Sequence, residues 1–567
     1  MKKTFLLSCL MLAAMPVMAA YTGHVYVDKN KNGVFDQSEK PLAGIKVSDG
    51  LNVVETAADG SFTLPGHERE RFIFITTPSG YKTFNRHYHK IEKKQSGYDF
   101  GLIPYSGRIR KDGSHRYIHI TDTEIFNTEN HADWVNNVRD YARNEQAAFI
   151  IHTGDICYEK GLKAHIKLMN TENMDCPVFY CIGNHDLVKG KYGEELFESI
   201  YGPVYYSFDA GNVHYVVTPM PGGDHAPGYT SDDVCRWLKN DLAHIRPGTP
   251  VVVFNHDLLT YEDTFIFKSK NAGSINLNEY NLKAWVYGHW HINYMKKQGD
   301  VYSVCTSSLD KGGIDHSTTA FRVMHVDSKG DFTSELRYTY LDKNICIASP
   351  AGVMASGVLP VAVNVYSSVS PVREVLYTCL ADGKPVLKNK RLLQSTDWSW
   401  NGELPLSHKY VGKELTLRVT ARFNNGEIAE AESNFICRTE KAVPLFSADW
   451  DNLSGNAKHS APVSAPLNLP LQLAWTNNVG ANLYMTSPLI HKGKVIVASV
   501  DEDLKGAGHV YALNGKDGTI LWSCPVRNSI KNSIAVDSGI VFAQDAQGFC
   551  MPLIPKPANC VGKSNCP

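Results

Sequence analysis

Five short polar blocks, each placed directly after an apolar run, constrain this chain more than any other feature. They are TDTE (Asp122, Glu124), GDICY (Asp155, Tyr158), GNHD (Asn184, His185, Asp186), VFNH (His256) and GHWH (His289, His291). The runs before them, RYIHIT, AAFIIHT, PVFYCIG, PVVVFN and KAWVYG, are rich in β-branched and aromatic residues and read as buried strands. HADWVNNVRDYARNEQ, GEELFESIYG and DDVCRWLKNDLAHI read as amphipathic helices. Strands interleaved with such helices predict an α/β layered domain over residues 114–343. Open α/β sheets carry their sites in the crevice at the C-terminal ends of strands, and the blocks occupy those ends. Carboxylates, imidazoles and an Asn amide suit Zn, Mn or Fe. In GHWH the histidines are two residues apart, so on an extended segment they share a face and each can serve one ion of a pair. A single block of this kind is weak; five in order are a strong signal.

The ordered set resembles the calcineurin-like metallophosphoesterases, and YYSFDAGNVHYVVTPM is similar to that family's central strands. The resemblance implies a four-layer β-sandwich flanked by helices and a binuclear centre. Asp155 would bridge two metals; Asp122 and His291 would bind the first, and Asn184, His256 and His289 the second. It also implies in-line attack of a metal-bridging hydroxide on phosphorus. His185 would protonate or stabilise the leaving oxygen, with Asp186 orienting it. Two departures stand out. The family's first block is usually D-x-H, and Glu124 occupies the histidine position, which is expected to add negative charge and move preference toward Mn or Fe. Tyr158 gives G-D-x-x-Y, which is similar to purple acid phosphatases, where that tyrosine is a ferric ligand. Tyr158 is therefore either a ligand or a pocket wall, and Glu124 is the preferred ligand. The expected function is a secreted phosphoesterase acting on mono- or diesters. The alternative is a calcium-stabilised surface protein, binding glycan or protein, whose phosphoesterase site has decayed; Glu124 is its best support.

The remaining segments are mostly β. MKKTFLLSCLMLAAMPVMAA over residues 1–20 has a basic start, an apolar run and a small-residue exit, the layout of a secretory signal peptide. Pro16 interrupts it as a membrane span, and no later stretch is long enough to cross a bilayer. Export to the periplasm or cell exterior is expected. Residues 21–104 read as short strands of a small β-sandwich, similar to the N-terminal β-domain of calcineurin-like phosphoesterases from gut bacteria. Within it Asp28, Asn30, Asn32, Asp36 and Glu39 occupy ligand positions of a calcium loop, with Gly33 at the tight turn. The competing reading is a polar hairpin loop with no ion.

Residues 351–438 return to β texture with turns spaced as in an immunoglobulin-like sandwich, and the proline- and serine-rich stretch 449–470 reads as a linker. Over 471–567, GHVYALNGKDGTILW and its flanking strand pairs resemble a quinoprotein-type (PQQ-like) β-propeller repeat. About one blade and part of another are present, whereas a propeller needs at least four. The tail MPLIPKPANCVGKSNCP breaks the pattern. Read in the alternative frame, with one permitted choice of codons, it restores the Tyr, Ala, Lys, Gly and Trp spacing. The expectation is a frame-shifted truncation of a longer protein.

Lys+Arg 57 against Asp+Glu 58 gives no support for charge-driven nucleic-acid binding. The expected partner is a phosphoester; no protein partner of the propeller segment is identified. Cys9 leaves with the signal, and the remaining cysteines are scattered. Cys176 and Cys181 are near neighbours, as are Cys560 and Cys566, but sequence does not assign pairing. His119, His152 and His214 lie in strand runs and read as satisfied core residues. His316 is left open. Trp290 is a core packer or a pocket wall, and PGGDHAPGYTSDD, with His225, is a lid or an ordinary surface connection.

Overall fold

The computed structural model describes residues 20–93, 95, 97–439, 449–460, 473–484, 486–553 and 564–565. Residues 1–19 of the expected signal peptide lie outside them. No helix among the described residues is long and apolar enough to cross a membrane.

The central segment holds two large sheets and a two-stranded one, Ile266–Lys268 with Ser274–Asn276. The first has the spatial order Val178–Tyr180, Phe149–His152, His115–Ile120, Ala320–Val326, Phe332–Tyr338. Its first three strands run parallel, with Tyr117 opposite Phe149 and Ile150 opposite Val178. The second has the order Tyr206–Ala210, Val213–Val217, Val251–Phe254, Leu282–Tyr287, Val301–Cys305, Tyr294–Gln298, and its middle four strands are parallel. One core joins Tyr117, Phe149, Ile151 and Phe179 of the first sheet to Tyr215, Val253, Phe254 and Val286 of the second. The central strands are buried on both faces, facing the other sheet on one side and helices on the other, which explains their continuous apolar runs.

Helices α1 (Ala132–Asn144), α2 (Tyr158–Leu168), α3 (Thr171–Met174), α4 (Glu195–Tyr201) and α5 (Ser231–Ala243) complete the layers. Helix α1 buries Trp134, Val135, Val138, Tyr141 and Ala142, one stripe at helical spacing, against the outer face of the first sheet. Helix α5 lays Trp237 and Leu238 on the second sheet. Helices α2 and α3 were not expected from the sequence. Gly161 in the middle of α2 weakens the helical signal, and its role is close approach: a Cβ there would lie 2.4 Å from the Ile125 carbonyl.

Residues 21–104 form two small sheets around Val25, Val47, Ile73 and Leu102. Residues 344–438 form a four-stranded and a five-stranded sheet around Val361, Tyr377, Trp400 and Leu417, with Glu414–Phe423 alternating buried and less buried positions. The C-terminal residues form two four-stranded antiparallel units, Leu489–His491 through Ile520–Pro525 and Ala535–Asp537 through Ser564–Asn565, sharing a core of Leu489, Ile496, Val510, Val541 and Met551. Among the described residues they close no ring. The expected linker begins too early: Trp450 exchanges backbone hydrogen bonds of 2.6 and 3.0 Å with Ile490, so the segment at 449–460 belongs to this unit. Residues 461–472, and residues 554–563 and 566–567 of the tail, lie outside the described residues. The C-terminal unit touches the central segment, where Lys531 Nζ donates to the Asn293 carbonyl at 2.7 Å and Asn528 Nδ2 to that of Met295 at 3.1 Å.

Candidate metal centre

All five blocks emerge at the same edge of the paired sheets, each from the C-terminal end of a parallel strand. Their glycines set the distance between loops. A Cβ on Gly154 would lie 2.7 Å from His256 Nδ1, one on Gly183 would lie 2.2 Å from Asp155 Oδ1, and one on Gly288 would lie 2.6 Å from Asp122 Oδ2. Any side chain there would push the donors apart. The donors themselves carry unusual backbone: Asp122, Glu124, Asp155, Cys157, Tyr158, His289 and His291 all have φ between 42° and 75°. That left-handed conformation is costly for non-glycine residues, and such strain concentrates at functional sites.

Two trios of ligating atoms form, each with all its atoms within 4.8 Å of one another: Asp122, Asp155 and His291; and Asp155, His256 and His289. Asp155 is common to both. Its Oδ1 accepts from the His185 backbone at 3.0 Å, while its Oδ2 lies 3.1 Å from His256 Nε2. His256 Nδ1 donates to the Thr153 carbonyl at 2.7 Å, which leaves Nε2 as the atom aimed at the carboxylate. Asp122 Oδ2 accepts from the His289 backbone and the Thr121 hydroxyl, at 3.0 and 2.8 Å, leaving Oδ1 3.3 Å from His291 Nε2.

Asp122 Oδ1, Asn184 Oδ1 and His256 Nε2 are buried without a hydrogen-bond partner. Buried polar atoms left without a partner beside these carboxylates fit bound cations, because burial without one is costly. In the bare chain burial disfavours His256 charge, but Asp155 overcomes it and pushes the pKa up to about 9. The Asp122 carboxylate beside His291 likewise raises its pKa.

Glu124 stands beside the first trio. Its Oε1 lies 3.7 Å from His291 Nε2, and Lys311 donates to its Oε2 at 3.0 Å. The expected surplus of negative charge is therefore offset by Lys311, which no sequence signal announced. Glu124 and Asp155 also meet Cys157 in a third group. Burial pushes that thiol's pKa well up, so it stays protonated. Tyr158 opens α2 with its ring 5.4 Å from that of His185.

The role expected of Asp186 is corrected. Its Oδ1 accepts from the Cys157 backbone at 2.8 Å and its Oδ2 from Gly183 at 2.9 Å, so it is buried as a brace between two loops. Asp224 instead reaches His185, at 2.9 Å from Nδ1. It comes from the glycine-rich loop singled out for His225, which docks on the site through Asp224 N and the Asn184 carbonyl at 3.1 Å.

The other candidates fall as follows. His119 is hydrogen-bonded to Thr153 and Thr306, and His152 to Thr123 and Gly154; both are satisfied core residues. His214 differs, because it sits between Asp209 and Asp241 at 2.7 and 2.8 Å. His316 is exposed on a loop whose Ile314 N bonds the His291 carbonyl at 2.9 Å. Trp290 stacks on Tyr261 and donates to Asp257. In the expected calcium loop, Asp28 accepts from Asn32 and Gly33, Asp36 from Asn30 and Asn32, and Glu39 from Lys29 and Asp36. These hydrogen bonds hold the loop closed around its polar side chains. Cys176 and Cys181 are buried free thiols.

Residues 115–293 match the family described as Calcineurin-like phosphoesterase, and residues 29–104 match the N terminal of Calcineurin-like phosphoesterase. The chain thus carries calcineurin-like phosphoesterase domains. Purple acid phosphatase 13 of Arabidopsis thaliana is 26% identical over 215 residues, which span 35% of this chain and 36% of that protein. Among solved structures, a conserved protein of Streptococcus pneumoniae, described as a "predicted phosphoesterase", aligns with 40% of this chain and 98% of its own at 10% identity and TM-score 0.19. BamB of Moraxella catarrhalis aligns with 43% of this chain and 58% of its own at 11% identity and TM-score 0.13. At those scores neither likeness decides anything further.

Proposed function

We propose that this chain is an exported, binuclear metal-dependent phosphoesterase that hydrolyses phosphate mono- or diesters. The observation that supports this most is the pair of donor trios meeting at Asp155, with Asp122 Oδ1, Asn184 Oδ1 and His256 Nε2 buried and unpartnered. Asp122, His291 and Glu124 would hold one ion, Asn184, His256 and His289 the other, and Asp155 both. When bound, such ions supply Lewis acidity at phosphorus and lower the pKa of a water.

The chain's own residues do the rest. Asp224 fixes His185 through Nδ1 and leaves the other ring nitrogen for a leaving oxygen, so His185 carries the departing proton. Asp186 holds the GDICY and GNHD loops at a constant separation. Lys311 balances Glu124. With a formal net charge of −1, the chain relies on the ions rather than on a basic surface to attract an anionic ester.

Metal analysis of the purified chain, combined with mono- and diester nitrophenyl substrates, tests the reading. At least one transition metal per chain and measurable hydrolysis are expected. Less than one metal, with no hydrolysis after Mn, Zn or Fe loading, would sink it. A colourless active enzyme assigns Tyr158 to the pocket wall; a visible charge-transfer band assigns it to iron.

A further inference from the structure

Phe126 and Tyr158 are large aromatic side chains left 57% and 43% exposed. Their rings lie 6.3 Å apart and are inclined by only 19°, so they form one stacked, water-facing surface. Both belong to loops of the metal centre: Phe126 follows Glu124 by two residues, and Tyr158 follows Asp155 by three. The ring of Tyr158 also lies 5.4 Å from that of His185. Packing either ring against protein would stabilise the fold by removing apolar surface from water, yet both stay in the open. Tyr158 is held there by a backbone φ of 54°, a conformation a bulky residue adopts only under constraint.

The position of this surface decides what it meets. With an ester's phosphorus against the donors that share Asp155, and its leaving oxygen at His185, the leaving group emerges past His185 onto Tyr158 and Phe126. A short hydrated alcohol gains little from such a surface. A flat ring gains stacking on each face it covers. We infer that Phe126 and Tyr158 are a stacking platform for a leaving group that bears a planar ring, either a nucleoside or an aryl alcohol. This rests on the phosphoesterase reading of the site. Trp290, between His289 and His291, is half-buried and stacks at 6.0 Å on the exposed Tyr261, so aromatic rings also border the centre at a second block.

The test compares kcat/KM for a nucleoside 5′-monophosphate, phenyl phosphate and glycerol phosphate, using the metal-loaded full chain as wild type and as Phe126→Ala, Tyr158→Ala and Tyr158→Phe. The wild type is expected to prefer a ring-bearing ester, and whichever of the first two is favoured identifies its source. Each alanine variant should lower the ratio of ring-bearing to glycerol ester by about ten-fold, chiefly through KM. Tyr158→Phe should keep that ratio, because the ring and not the hydroxyl does the stacking. An unchanged ratio in both alanine variants, or equal loss in Tyr158→Phe and Tyr158→Ala, overturns the platform while leaving the phosphoesterase reading in place. No hydrolysis by the wild type of any of these esters, or of bis-nitrophenyl phosphate, overturns both.

Discussion

Arg322, fully buried in the first central sheet, donates from Nη1 to Asp503 of the C-terminal unit at 2.5 Å. The same guanidinium bonds Thr306 Oγ1 at 3.1 Å, Thr306 bonds His119 at 2.8 Å, and His119 bonds Thr153 at 2.8 Å. The Thr153 carbonyl then accepts from His256, so a continuous polar path links the C-terminal unit to a candidate metal ligand. Removing one partner of a buried pair leaves an uncompensated charge and costs about 3–5 kcal/mol. Asp503→Ala is therefore expected to lower stability by that order in urea unfolding, and adding Arg322→Met should recover part of it. Superimposable curves for Asp503→Ala and wild type would show that the path bears no load.

Replacing Asn184 or His289 by alanine should lower hydrolysis by at least about 100-fold while leaving the unfolding midpoint of the metal-free chain nearly unchanged, because neither side chain is part of the apolar core. Retained activity in either variant would refute its assignment.

Asp186 and Asp224 should separate cleanly. Asp186→Asn replaces an acceptor by a donor facing a buried backbone N–H, at a cost of about 1–3 kcal/mol in stability. Asp224→Asn should spare stability. Burial opposes charge on His185, but its bond to Asp224 raises its pKa, so the variant lowers it. If His185 supplies the departing proton, the alkaline limb of the pH–rate profile moves to lower pH. An unmoved limb would exclude that coupling.

Bound cations should stabilise the domain, since they satisfy buried acceptors that are unpartnered in the bare chain. Ligand linkage gives about 2.7 kcal/mol at a hundred-fold excess over Kd. Calorimetry with and without chelator checks this, with a lower midpoint expected after metal removal. In Asn184→Ala the difference should shrink.

Burial disfavours His214 charge, but Asp241 and Asp209 outweigh it and push its pKa up to about 9. A raised histidine pKa stabilises fully below the unfolded value near 6.5, and that contribution is lost as pH rises through about 9. The wild type should lose up to about 3 kcal/mol across that window. His214→Gln should lack the decline, and parallel stability–pH curves would contradict it.

How far the sequence could be read depended on whether a signal was local. Strands such as Phe149–His152 and Val251–Phe254 are buried on both faces and announce themselves as apolar runs. Helix α1 does so through its stripe. Helix α2 does not, because Gly161 and the block at its start obscure the period. The residue types and order of the metal blocks were also legible. Asp224 and Lys311 were not, since each lies far along the chain from the group it meets.

What the sequence determined by itself was a set of donors, each fixed to the end of a strand, with glycines beside them. The tertiary structure alone decided that Asp224 rather than Asp186 reaches His185 and that Lys311 balances Glu124. It also decided that Arg322 takes its counter-charge from Asp503. Strand and helix signals are periodic over a few residues, whereas these contacts span 39, 187 and 181 positions. Only the packing of two sheets, which brings distant strand ends to one edge, specifies them.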